Sequence, residues 1–201
     1  AEFVLNPDSG GVTTEHGKPV HVGVEASEKI YADFELSARN PGGHSSLPVP
    51  DNAIYHIVNA LAKLERSPFP FELNHVTRVY FERMAKLEKG QRGADIRAIL
   101  GATPSSAAIA RLSEDPRFNA TMRTTCVATR LAAGHANNAL PQSARAIVNC
   151  RILPGHSPEE IQAGLARIFN DPQIEIKSAD PAQGKKPMAP ATLRPDVFKA
   201  L

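Results

Sequence analysis

The sequence predicts an α+β fold, a ferredoxin-like β-α-β-β-α-β sandwich with a helical insertion, flanked by stubs of a second, α/β domain. Three observations predict it. Residues 30–38 alternate apolar and polar side chains, the period of a half-buried strand. Residues 51–65 and 157–169 carry apolar side chains at helical spacing. Further alternating runs at 122–132, 143–153 and 173–178 fall in the order that completes the pattern.

Each element has a local cause. In "IYADFELSA", Ile30, Ala32, Phe34, Leu36 and Ala38 face one way and Tyr31, Asp33, Glu35 and Ser37 the other. "RNPGGHSSLPVPDN" breaks every periodicity with glycine, proline and asparagine and reads as a loop. A helix follows, with Asp51 as its expected N-cap and Ile54, Ile57, Val58, Leu61 and Leu64 as its apolar stripe; "RSPFP" ends it. Leu61 is expected to be buried between helix and sheet. Residues 76–120 hold short helical patterns punctuated by Gly90, Gly93, Gly101 and Pro104, read as an insertion between sheet elements. In the next strand Thr125, Val127, Thr129 and Leu131 are expected on one face. In the one after it, Ala144, Ala146, Val148, Cys150 and Ile152 oppose Arg145, Ile147, Asn149 and Arg151. Ser157 and Glu160 form a capping box with Pro158 at the first helical position, and Ile161, Leu165 and Ile168 give that helix its buried stripe. The predicted organisation is a stub at 1–17, the sandwich at 18–180 and a return stub at 181–201. Because the chain opens on Ala1, directly in a strand and turn, it is expected to be part of a longer protein.

Composition narrows the function classes. With 42% hydrophobic residues among 201, a core can be buried. The 23 basic and 21 acidic residues are scattered, with no basic run or aromatic-interleaved stripe, so nucleic acid is not an expected partner. An RNA-binding sandwich would also need exposed aromatic residues on its strands. Apolar runs are far shorter than the ~18–20 residues of a membrane span. Cys126 and Cys150 are too few for a disulfide framework and lack metal-site spacing; they read as small apolar residues on strands.

The residues able to carry chemistry are few. His44 lies on a loop between Gly42, Gly43 and Ser45, Ser46, where an imidazole can be a surface group, a local cap, a metal ligand or a catalytic group. The glycines permit close approach, and the serines supply donors to orient the ring. Asp8 sits in "NPDSGG", a common turn context. Asn138 lies in "GHANNALPQSA", a strand-to-strand link. Arg151 ends a strand on its polar face, as a solvated residue or as a fork for a carboxylate. No H-E-x-x-H, G-x-S-x-G or P-loop is present.

Taken together, "NPDSGG", "GGHSSLP" before a helix, "RTT", "NNALP" and "NCRILPG" resemble, in that order, the dinuclear zinc exopeptidases of peptidase family M-twenty. The branch that hydrolyses or condenses N-acyl amino acids is the most similar. The resemblance implies a ferredoxin-like lid and dimerisation domain inserted into a catalytic domain. It implies a homodimer acting on peptides or N-acyl amino acids, with two zinc ions in the parent enzyme. By the same resemblance Asp8 matches a zinc-binding carboxylate, although Ser9 stands where relatives often have glutamate. His44 matches an oxyanion donor that enters the neighbouring subunit's site. Asn138 and Arg151 match the lid residues that hold the substrate's carbonyl and carboxylate. The family's first metal-binding histidine with its bridging aspartate, its glutamate base and its last histidine ligand have no counterpart here. This chain alone is therefore expected to bind no zinc tightly and to be inactive. The rival reading is a free-standing ferredoxin-like binding or oligomerisation module without catalysis.

Overall fold

A computed structural model describes residues 11–179 and 189–196. In chain order the strands are β1 (Gly11–Glu15), β2 (Lys18–Gly23), β3 (Ile30–Arg39), β4 (Gly43–His44), β5 (Thr125–Ala133), β6 (Ala139–Leu140), β7 (Ser143–Ile152) and β8 (Glu175–Ser178). The helices are α1 (Ala53–Arg66), α2 (His75–Leu87), α3 (Gly90–Leu100), α4 (Ser106–Ser113), α5 (Pro116–Thr121) and α6 (Pro158–Phe169).

Alternation in β3 and β7 dictates a one-sided sheet. Phe34, Leu36 and Ala38 pair in register with Val148, Ala146 and Ala144, and all six are buried. The antiparallel order is β5-β7-β3-β8, and α1 and α6 pack on that apolar face. This is the predicted sandwich. Hairpin β1–β2 forms a separate two-stranded sheet that runs across the expected boundary at residues 17 and 18.

The insertion is helices α2 to α5, as expected. It folds around its own apolar cluster of Phe81, Ile96, Ile99, Phe118 and Met122. Inside it the buried Asp95 accepts two hydrogen bonds from the Arg111 guanidinium, at 2.9 and 2.6 Å, which holds its carboxyl below the usual range. Arg123 ties insertion to sheet: it is buried and donates to the Phe69 carbonyl and to Ser113 Oγ. Met122 belongs to the insertion core, so β5 starts at Thr125, later than expected.

Four local expectations are corrected. The N-cap of α1 is Asn52, whose side chain accepts the Ile54 amide at 2.9 Å; Asp51 is turned away to bond His56. The buried stripe of α1 is Ala53, Ile57, Ala60 and Leu64. Two alanines let the helix approach the sheet closely, which rotates Val58 to 45% exposure and leaves Leu61 half-buried. A bulge between Ala128 and Arg130 adds one residue to β5 and flips the alternation beyond it. Val127 thus pairs with Asn149 on the outer face, whereas Leu131 pairs with Ala146 on the helix face.

The cysteines are the fourth correction. Cys126 and Cys150 stand directly opposite in the β5–β7 ladder, Cα atoms 4.1 Å apart, and form a disulfide. Cys150 is buried in the core, as read from its strand position. The bond follows from the register, which puts both thiols on one face at bonding distance.

Candidate functional site

His44 sits where a loop closes on a neighbouring strand link. β4 pairs with β6, His44 opposite Ala139 and Gly43 opposite Leu140. The Ser45 amide donates to the Asn138 carbonyl at 3.0 Å. The two glycines make this approach possible. Gly42 has φ +80°, and a Cβ there would lie 2.7 Å from Gln142 Cγ. Gly43 has φ +147°, with Leu140 Cδ1 3.4 Å from the position of a Cβ. His44 and Asn138, read separately from sequence, are thus brought together.

The imidazole is oriented by its own turn. Nδ1 accepts the Ser46 amide at 3.2 Å and lies 2.8 Å from Ser46 Oγ. A backbone N–H can only donate, so Nδ1 is the accepting nitrogen and Nε2 carries the proton of the neutral ring. The exposed side chain therefore presents an N–H donor outward.

The base of the loop is braced from both ends. Asn40 donates its amide to the Gln142 carbonyl at 3.0 Å, and its side chain donates to Asp51 at 2.7 Å. Asp51 bonds His56 at 2.7 Å, and His56 bonds Asp171, after α6, at 2.6 Å. Hydrogen bonds from Asp51 and then Asp171 raise the His56 pKa above its ordinary value. The bonds from His56 and then Asn40 hold the Asp51 carboxyl low. Burial pushes Asp171 up, but the His56 and Gln173 hydrogen bonds outweigh it, and its carboxyl too lies low. The chain Asp171–His56–Asp51–Asn40 anchors the His44 loop to α1 and α6. Nothing local in the sequence marks the partnership of His56 with Asp171, which lies 115 positions further along the chain.

Arg151 lies at the other end of the sheet. At ~3.3 Å per residue, the run of β7 from Ser143 to Arg151 spans roughly 25 Å, so Asn138 and Arg151 are not brought together. The Arg151 guanidinium stacks over the Tyr31 ring, 4.8 Å from its centroid. Tyr31 donates to Asp33 at 2.5 Å, and Asn149 donates to the other oxygen of Asp33 at 2.7 Å. Asp8 lies outside the described residues. Among the described residues no three His, Cys, Asp or Glu side chains converge on a point that could hold a metal ion. They do not fit a zinc site.

The family model described as the peptidase dimerisation domain, M20_dimer, matches residues 9–177. A probable carboxypeptidase S-like 2 of Dictyostelium discoideum is 31% identical over 163 residues, covering 79% of this chain and 30% of that protein. The N-fatty-acyl-amino acid synthase/hydrolase PM20D1.1 of Danio rerio is 32% identical over 160 residues, covering 77% of this chain and 30% of that one. Among solved structures, the M20 family metallo-carboxypeptidase Sso-CP2 from Sulfolobus solfataricus aligns with 13% identity and a TM-score of 0.45, over 85% of this chain and 54% of that chain. The chain thus spans about 30% of the length of these two curated relatives. With the model matched across the hairpin, the sandwich and its insertion, the chain belongs to the M20 peptidase dimerisation domain family.

Proposed function

We propose that this chain is the lid and dimerisation domain of a zinc-dependent peptidase or amidohydrolase that cleaves amides adjacent to a carboxylate, in peptides or N-acyl amino acids. The observation that carries the reading is the β4–β6 bridge, which holds the backbone of the exposed His44 against the Asn138 link on a braced loop. A rigid, exposed donor of this kind suits an oxyanion that develops in a site the chain does not itself contain. Two of the relatives described above bear carboxypeptidase or acyl-amino-acid hydrolase names, which supports the substrate class.

In this reading His44 and Asn138 serve the partner subunit's site, while Arg151 forks onto the substrate carboxylate. The separation of Arg151 from the other two supports a division between two sites. Asp8 would supply one carboxylate to a zinc centre otherwise built by the parent's catalytic domain, to which residues 1–17 and 181–201 would return. A zinc ion held there would supply Lewis acidity towards the amide.

Two copies would associate along the β5 edge and the outer face of α1. Among the described residues β5 is a nine-residue edge strand paired on one side only, with Val127 and Leu131 exposed, and α1, packed beside it, exposes Tyr55 and Val58. Steady-state kinetics of the full-length enzyme test the proposal. His44→Ala should lower kcat about 10²–10³-fold with a smaller change in KM. A kcat equal to the parent's would refute the assigned role.

A further inference from the structure

The Arg151 end of the sheet carries more positive charge than its neighbours neutralise. Lys29 precedes β3, and its side chain crosses β7 to reach the start of β5. Its Nζ donates to the Arg123 carbonyl at 2.6 Å and approaches Thr125 Oγ1 at 3.4 Å. Thr125 is the register partner of Arg151, and on the other side of Arg151 stands Tyr31. The ammonium thus reaches the strand position paired with Arg151, near enough for the two charges to interact. Arg123 adds a third cation, held by the Phe69 carbonyl and Ser113 Oγ, its buried Nε without a partner among the described residues. No carboxylate among the described residues pairs with Lys29, Arg123 or Arg151; nearby Asp33 is engaged by Tyr31 and Asn149. Burial first, then the charges of Arg151 and Arg123, lowers the Lys29 pKa to about 8. Like charges gathered in a half-buried place are costly unless an anion joins them.

We propose that Lys29 and Arg151 form a two-cation subsite for the carboxylate of the ligand, with Lys29 a specificity-determining residue of that subsite. This rests on the reading of Arg151 as the carboxylate fork and adds a second cation to it. The guanidinium sets the plane of the carboxylate through paired donors, and the ammonium neutralises it from the side as a point charge. Lys29 bonds now to a backbone carbonyl and a hydroxyl, which leaves one of its three N–H donors for the anion.

The test is a pH titration of lysine ε-carbon resonances in the 201-residue chain, with Lys29 assigned through Lys29→Arg. Without ligand, Lys29 should titrate near pH 8. Saturating N-acetylglycine should raise that pKa, whereas neutral N-acetylglycinamide should leave it unchanged. A Lys29 pKa that N-acetylglycine does not move overturns the proposal, and so does a rise produced equally by the amide. Inorganic phosphate is a third probe: a rise with phosphate and none with N-acetylglycine overturns the carboxylate assignment. Lys29→Gln and Arg151→Gln should each weaken N-acetylglycine binding about tenfold. If Arg151→Gln weakens it and Lys29→Gln does not, the two-cation subsite fails while the Arg151 reading stands. If neither substitution matters, both fail.

Discussion

Ser45 donates its backbone N–H to the carbonyl of Asn138 at 3.0 Å, and through this bond the His44 loop and the β6 link become one surface. Neither loop would hold that position alone, since each is a short excursion between longer elements. The bridge needs Gly42 and Gly43, because a Cβ at Gly42 would run into Gln142. Gly42→Ala should therefore displace the His44 loop without unfolding the sandwich. In the full-length enzyme it should reduce kcat at least tenfold while the urea midpoint stays close to the parent's. Full activity in this variant would show that the bridge is not needed.

Core packing gives a second expectation. Ile57 is fully buried in the main cluster, whereas Leu61 only packs against its margin. Ile57→Ala should cost about 2–5 kcal/mol in urea unfolding, and Leu61→Ala about 1 kcal/mol. The reverse order would mean that the stripe of α1 follows the sequence expectation after all.

The disulfide can be checked directly. Thiol titration of the untreated, unfolded chain should find no free thiol. The bond joins residues separated by 24 positions, so by chain entropy its reduction should cost about 3.5 kcal/mol. Free thiols in the untreated chain, or an unchanged urea midpoint after proven reduction, would contradict the pairing of Cys126 with Cys150.

The brace beneath the His44 loop should make stability depend on pH. The folded pKa of His56 lies above its ordinary 6.5, so its contribution is fully present below pH 6.5 and is lost as pH rises through the raised value. Asp51 and Asp171 are lowered, so their contribution is present above the ordinary carboxylate range and is lost as pH falls through their folded values. His156, raised first by its hydrogen bond to Glu72, adds a slope of the same sign as His56. His56→Gln should therefore flatten part of the stability loss above pH 6.5 and leave the rest to His156. An unaltered profile would show that the imidazolium of His56 is not what holds Asp51.

Much of the fold was legible because period governs it. The alternation of β3 and β7, the capping box of α6 and the broken helical stretches of the insertion are each written within a few adjacent residues. What depends on register was not. The bulge at Ala128, the facing of Cys126 and Cys150 and the rotation of α1 toward its alanines are settled by packing between distant segments. The site divides the same way. His44 and Asn138 could be singled out by residue type and loop setting, but their juxtaposition needed the β4–β6 pairing. Lys29 and Asp171 gave no signal, because each matters through partners far along the chain, and Asp51 was legible only as a helix cap.

The most direct test of the central claim, that His44 acts in the partner's site, is a subunit-mixing experiment on the full-length enzyme. His44→Ala and Asp8→Ala variants, each inactive alone, are combined in equal amounts and subunit exchange is demonstrated. A hybrid dimer then contains one composite site with both Asp8 and His44 intact. Since half of the dimers are hybrids and each has one such site, about a quarter of the parental activity should return. A mixture that remains inactive after exchange would contradict the account, because His44 would then serve its own chain or no catalytic purpose.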